Sequence, residues 1–490
     1  MIELNAAQIA AITGGRTTTS VSVETVVGGV ATDSRECQPG WLFVAKPGEA
    51  SDGHRFVEQA FAAGAVLALA ERETLDAEGA VHPAVIVEDA VLAMGKLASH
   101  VVGRLREGGL RVVGITGSAG KTTTKDLLAA VLSTAGETVA PIGSYNGEVG
   151  VPLTVFRATP STRFLVVEMG ATGIGHIDYL AKMVGPEVGV VLCVGTAHAG
   201  EFGGAQNIAR AKGELVEALP ATGTAILNFD DPQVRAMASR TGAAVLGFGP
   251  ESEAHGSFVG ARDIEIDNAG HPVFTLAMPD GSAHPVRSGL IGRHHITNLL
   301  AAASAAHALG IDGATIAHTL TDLGPASRWR MERTERADGV TIINDAYNAN
   351  PESMRAALRT LAELGQVDDA VGETRRTWAV LGEMLELGDD SILEHDLLGR
   401  VVVRLNIKKL VVVGAGAKPL HTAAVLEGSW GDEATFVETV DDAERLLEER
   451  LEPGDIVLFK SSNGAGLRFL GDRIASASAG APEAGQETLR

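Results

Sequence analysis

The chain has 490 residues, a formal net charge of −22 at pH 7 and 45% hydrophobic residues, enough for about three domains of ~150 residues, each with its own core. The acidic excess argues against nucleic acid or an anionic membrane as partner, because both demand a basic face. The longest apolar run, residues 60–70, contains Gly64 and is too short to span a bilayer, so no integral membrane segment is read. The N-terminus lacks the basic and apolar regions of a signal peptide. Cys37 and Cys193 lie far apart in sequence and suggest no disulfide framework, which fits a reducing cytosol.

Residues 1–107 read as a small α/β unit. A helix is expected over 2–13, strands over 40–45 and 66–70, and a helix over 55–63. Two polar turns punctuate it: Thr32-Asp33-Ser34-Arg35 after an apolar stretch, and Asp52-Gly53-His54. Either a ligand pocket or a solvated turn with a local ion pair is compatible with Asp33, Ser34 and Arg35.

Residues 108–325 form the second unit. The run Val112-Val113-Gly114-Ile115-Thr116 ends in Gly117-Ser118-Ala119-Gly120-Lys121-Thr122-Thr123, which opens a helix. A strand, a glycine turn and a helix N-terminus make a phosphate cradle, because backbone N–H groups can close on an anion where no Cβ intervenes. Lys121 supplies a cation for the outer phosphates, and the Thr122 hydroxyl suits Mg²⁺. The spacing Gly117-x-x-Gly120-Lys121-Thr122 is shorter than the common P-loop, and the reading is ATP binding. Further strands are expected over 164–168, 188–194, 225–228 and 244–248, with a helix over 207–219. That alternation implies a parallel sheet covered on both faces, with ligands at the carboxyl strand ends. Glu168 and His198 fall just past such ends, and a strand-end carboxylate beside phosphates suits Mg²⁺. Cys193 is placed inside a buried strand. Lys212, in mid-helix beside Gly213 and Glu214, reads from bare sequence as a surface lysine. Residues 250–290 break the rhythm and suggest an antiparallel insertion. Gly292 to Asn298 then leads into an Ala-rich helix.

From 326 to 474 a second alternation begins, Rossmann-like, with strands over 341–344, 377–381, 409–413 and 455–460 and helices over 352–364, 392–403 and 441–451. Asn344-Asp345-Ala346-Tyr347-Asn348-Ala349-Asn350-Pro351 ends one strand and caps a helix. Asp345 suits ribose hydroxyls, and Asn348 and Asn350 offer neutral amides to a peptide-like ligand. Residues 475–490 read as a disordered tail.

Together these motifs resemble the bacterial Mur ligase family over nearly the whole chain. The resemblance rests on the short cradle, Glu168, Gly195-Thr196-Ala197-His198, Ile208 through Lys212-Gly213-Glu214, His294 through Asn298, and Arg330 ahead of Asp345. Tyr347-Asn348-Ala349-Asn350-Pro351 and Leu381-Gly382-Glu383-Met384, with His395, mark the subfamily. The resemblance implies an α/β protein of three domains: a UDP-sugar-binding domain (1–107), a central P-loop parallel-sheet ATPase domain (108–325) and a C-terminal amino-substrate domain (326–474). It implies ATP-dependent amide ligation in peptidoglycan precursor synthesis, with UDP-N-acetylmuramoyl-tripeptide and D-alanyl-D-alanine as substrates and a cytoplasmic monomer as the working form. Lys212 would carry a carbamate and, with Glu168, His198 and Thr122, support Mg²⁺. Gly117, Gly120, Lys121, Thr122, Thr123, Asn298, Arg330 and Asp345 would hold the nucleotide, with Arg328 as a rival for the arginine role. Thr32 to Arg35 and Asp52 to His54 would line the UDP-sugar site, and Asn146, Tyr347, Asn348 and Asn350 would meet substrate. Asn146-Gly147-Glu148 and His294-His295 depart from the family's Asn-Asn-Glu and His-Asn. The alternatives are a Mur-type ligase for another amino substrate and a non-catalytic P-loop regulator.

Overall fold

The structure is a computed structural model that describes residues 1–22, 24–48, 51–195, 204–250, 257–366, 374–428 and 431–477. Its strands form three main sheets, each drawn from one stretch of chain. The first has five strands in the spatial order Arg16–Thr17, Ala84–Ile86, Ala65–Ala70, Trp41–Ala45 and Gly29–Ala31. All its pairs are parallel except the one at the Arg16–Thr17 edge. A helix that the pattern reading leaves out, Ala90–Glu107, follows it. Asp89 caps this helix by accepting the N–H groups of Val91 and Leu92, both at 2.8 Å. Its buried face (Met94, Leu97, Val101) belongs to a core that also holds Leu42 of the first sheet and Val112 and Leu165 of the second. The first two units therefore share packed interior rather than a bare linker.

The second sheet carries the cradle. Strand β1 (Arg111–Thr116) lies between β2 (Phe164–Glu168) and β3 (Val188–Val191), all parallel. Thr138–Val139 closes one edge. On the other side follow Thr224–Asn228, Ala244–Gly249, Phe258–Ile266, Pro272–Ala277 and Ala283–Arg287. The three strands within 250–290 are not a separate insertion. Phe258–Ile266 joins the sheet parallel to its neighbour, and the other two continue it as antiparallel ribbons. Pro272–Ala277 alternates buried and half-buried residues, as expected where only one face is covered. Two helices cover the cradle end: α1 (Lys121–Ser133) and the largely buried α2 (His295–Ala308).

The third sheet has the order Glu332–Glu335, β4 (Thr341–Asn344), β5 (Ile456–Lys460), Thr377–Leu381, Lys409–Val413 and Ala434–Val437, parallel beyond its first pair. Helix α3 (Pro351–Gly365) packs on it through Met354, Leu358 and Leu361. Three further expectations need correction. The helix expected over 2–13 begins at Ala6, because Leu4–Asn5 pairs antiparallel with Val26–Val27. β3 ends at Val191, so Cys193 is a half-buried loop residue and not a strand residue. The last helix runs Leu467–Ser476, so residues 475 and 476 are ordered; 478–490 lie outside the described residues. Among the described residues no helix is long and apolar enough to cross a membrane.

Candidate active site

The cradle is built at the carboxyl end of β1. Gly120 has φ +82°, and a Cβ there would run into the side-chain carbonyl of Asn298 on α2. Glycine is required for both reasons. Lys121 folds back and donates to the Gly117 carbonyl at 2.8 Å, so its ammonium lies over the loop. The Cys193 sulfur receives the Ala119 N–H at 3.4 Å, which makes this cysteine part of the cradle's floor.

Register explains how Glu168 arrives beside Thr122. Glu168 pairs with Ile115 in the parallel ladder, so β2 ends level with the start of the cradle. Its carboxylate is buried. One oxygen accepts from the Thr122 hydroxyl at 3.0 Å and the other from the Asn146 amide at 2.9 Å. The Ser144 hydroxyl lies 2.7 Å from that of Thr122, and Arg330 Nη2 donates to both hydroxyls at 3.2 and 3.0 Å. These groups line a cavity of about 110 Å³ with Lys121, Tyr347, Asn348 and Asn350. Hard oxygen donors beside a phosphate cradle fit Mg²⁺, which takes one or two protein carboxylates and fills its shell with water and phosphate. Among the described residues no three His, Cys, Asp or Glu side chains gather into a denser metal cage. His198, with Thr196 and Ala197, lies outside the described residues.

Lys212 departs from the surface reading. It sits on the helix Ala205–Glu217 and is buried. Burial first, and then the positive charge of Lys121, pull its ammonium down to about 7. Its neighbour Glu214 is structural, accepting the N–H groups of Gly175 and Asp178 at 2.7 and 3.0 Å at the start of another helix.

A second cavity, about 290 Å³, opens between the central and third sheets, with Gly120, Thr123, Asn298, Asp345 and Lys460 in its walls. Asn298 donates to His295 Nδ1 at 3.1 Å, so the His295 proton sits on Nε2, a buried donor without a partner among the described residues. Burial holds His294 down at about 4, and both rings are neutral near pH 7. Asp345 accepts from Lys460 Nζ at 2.6 Å and from the Met331 N–H at 3.1 Å. Both its oxygens are thus engaged within the chain. Asn350 is likewise occupied: its carbonyl caps α3 at Ser353 N (2.8 Å) while its amide donates to the Ser118 carbonyl (3.1 Å), tying the third unit to the cradle. Asn348 accepts from the Ala349 N–H at 2.9 Å. Arg330 rather than Arg328 faces the cradle; Arg328 is exposed and pairs with Asp472 at 3.0 Å.

The first unit has its own cavity, about 390 Å³, lined by Thr32, Asp33, Ser34, Arg35, Lys46 and Gly53. Asp33 caps a short turn and pairs with Arg35 at 2.5 Å, which lowers its carboxyl to about 2. Local ion pair and pocket wall are therefore the same residues. Asp52 accepts from His54 at 2.6 Å, and the other His54 nitrogen accepts from the Glu71 N–H at 2.9 Å.

Three family descriptions match the chain: "Mur ligase family, catalytic domain" over 26–101, "Mur ligase middle domain" over 115–306 and "Mur ligase, glutamate ligase domain" over 329–463. The chain belongs to the Mur ligase family. It is 46% identical to the UDP-N-acetylmuramoyl-tripeptide--D-alanyl-D-alanine ligase of Mycobacterium tuberculosis, covering 97% of this chain and 98% of the relative. A crystal structure of MurF from Acinetobacter baumannii superposes with a TM-score of 0.83 at 31% identity, covering 97% of this chain and 99% of that one. MurF ligase from Thermotoga maritima, solved in complex with ADP, gives 0.73 at 28%, covering 91% and 97%. The Mur ligase motifs missed two groups here. Ser144 carried no signal beyond its nearness to Asn146. Lys460 carried one: a lysine that ends the buried apolar strand β5 needs a carboxylate partner, and Asp345 is it.

Proposed function

We propose that this chain is an ATP-dependent amide ligase that joins D-alanyl-D-alanine to UDP-N-acetylmuramoyl-tripeptide in peptidoglycan precursor synthesis. The observation that carries the reading is the convergence of Lys121, Thr122, Glu168 and, from the third unit, Arg330 on one cavity. Residues 1–107 take the UDP-sugar, 108–325 the ATP and 326–474 the amino substrate.

A carboxylate and an ammonium do not condense in water without activation. The tripeptide's terminal carboxylate therefore attacks the γ-phosphorus of ATP, and ADP leaves. The dipeptide amine attacks the resulting acyl phosphate, and phosphate departs from the tetrahedral intermediate as the amine loses its proton. Lys121 and Arg330 bring positive charge to the phosphoryl oxygens where negative charge spreads in the transition state. Mg²⁺, when bound, would neutralise that charge further, with Thr122 and Glu168 as its protein ligands and a Lys212 carbamate and His198 as further donors. Carbamate formation needs a neutral amine, and a lysine drawn down to about 7 supplies one at physiological pH. Bringing acid and amine together from separate units requires closure and excludes water.

The test is ADP release from ATP with UDP-muramoyl-tripeptide, with and without D-alanyl-D-alanine. Release that depends on the dipeptide is expected. Release supported equally by other amino substrates overturns the specificity, and nucleotide binding without any release overturns the reaction.

A further inference from the structure

The segment that opens the third unit contains two left-handed residues, Trp329 at φ +58° and Met331 at φ +52°. Neither is a glycine, and side chains of this size rarely adopt that conformation. Between them stands Arg330, the residue that reaches back to the Thr122 and Ser144 hydroxyls. The left-handed turn has a geometric consequence. In an extended chain successive side chains point to opposite faces. Here both Trp329 and Arg330 lie against the same partner, Tyr347: the indole stacks on it with centroids 6.4 Å apart and planes 21° from parallel, and the guanidinium lies 4.5 Å from its centre.

Trp329 is held by later parts of the third unit. Its indole N–H donates to both carboxylate oxygens of Asp472 at 3.1 and 3.0 Å, its backbone N–H to Glu332 at 2.9 Å, and Arg468 lies over the ring at 5.3 Å. These contacts offset the backbone strain. Arg330 Nε is buried and has no hydrogen-bond partner among the described residues, so the arginine holds a donor in reserve.

We infer that Trp329 is a positioning residue for the ligase reaction: the strained, clamped indole holds Arg330 over Tyr347 so that its guanidinium meets the transferring phosphoryl group. This rests on the function proposed above, and it assigns Trp329 a task that acts through Arg330. If Trp329 relaxed to negative φ, the chain would turn and Arg330 would leave the Thr122 and Ser144 hydroxyls.

The test is a double-mutant cycle of Trp329→Gly and Arg330→Ala, read as kcat and KM for ATP in dipeptide-dependent ADP release, with Trp329→Phe as the conservative variant. Glycine accepts positive φ, so the first variant removes the clamp without adding strain. Misplacing a charge-stabilising group by about 1 Å costs up to about 100-fold, so Trp329→Gly, which loosens Arg330 without removing it, should lower kcat by about 30-fold, with KM for ATP within about threefold. Trp329→Phe keeps the ring and should recover to within about fivefold of wild type. In the Arg330→Ala background, Trp329→Gly should cost no more than about twofold, because it acts only through the arginine. A kcat for Trp329→Gly within threefold of wild type overturns the inference, as do losses that multiply in the double variant. A wild type with no dipeptide-dependent release instead overturns the proposed reaction.

Discussion

Lys212→Met is expected to move activity and stability in opposite directions. The lysine's ordinary value is 10.5, and in the folded chain it stands at about 7, chiefly because it is buried. Between those two values the unfolded chain binds a proton that the folded chain does not, so stability rises with pH across the window. Below pH 7 the cost of the buried ammonium is present in full. The difference of about 3.5, at 1.36 kcal/mol per pH unit, sets a ceiling of about 5 kcal/mol. Methionine is unbranched and apolar and carries no such cost. A unit of this size shifts by about 2–4 °C per kcal/mol, so Lys212→Met should melt several degrees above wild type at pH 6.5. The gap should shrink steadily toward pH 9.5. Scanning calorimetry in CO₂-depleted buffer measures it, because a carbamate would replace the cation. In the same variant ADP release should fall at least about 100-fold, and bicarbonate should stimulate wild type but not the variant. A melting difference of one size at pH 6.5 and 9.5, or a variant less stable at both, refutes the reasoning.

Glu168→Gln keeps the side-chain shape and a hydrogen bond to Thr122 or Asn146. It should cost stability only about 1 kcal/mol yet raise the Mg²⁺ concentration needed for half-maximal turnover at least about tenfold; an unchanged Mg²⁺ titration counts against the metal assignment. Gly120→Ala adds about 1–2 kcal/mol of left-handed strain and drives a Cβ into Asn298, so calorimetric titration should show ADP affinity down by at least about tenfold. Gly40→Ala is the control: it has the same φ of +82° but open space around it, and it should bind ADP as wild type does. Burial, aided by Asp33 and Glu36, pushes the Cys37 thiol up to about 11, so only about 10⁻³ of it is thiolate at pH 8 and iodoacetamide should label it slowly, with the rate rising about tenfold per pH unit from 8 to 10. Peptide mapping that finds Cys37 fully alkylated within minutes at pH 7.5 contradicts this.

Elements defined by local signals were legible in advance. Strands Phe164–Glu168, Thr341–Asn344, Thr377–Leu381 and Lys409–Val413 lie where the apolar runs put them, because a strand buried on both faces must be apolar throughout. Helix Ala90–Glu107 was not separated from its surroundings. Its period is nonetheless in the sequence: Ala90, Ala93, Met94, Leu97, Ala98, Val101, Val102 and Leu105 recur at three- and four-residue steps; what the sequence does not carry is that this one face packs against two units at once. The hairpins of 258–287 are local, with Ile266 pairing with Pro272 and Ala277 with Ala283; what the sequence pattern does not carry is that Phe258–Ile266 lies parallel beside Ala244–Gly249 and so extends the sheet.

The sequence by itself determined the chemistry on offer: a glycine turn followed by Lys121 and Thr122, a carboxylate ending a strand, an arginine ahead of Asp345. These depend on residue type and short spacing, and chain-local geometry is enough to read them. Only the tertiary structure decided which of two arginines turns toward the cradle, that Lys212 is buried and not exposed, and that Asp345 and Asn350 spend their remaining polar atoms on Lys460, Met331 and Ser118. Burial and pairing are properties of what folds against a residue from tens or hundreds of positions away, and no local pattern encodes them.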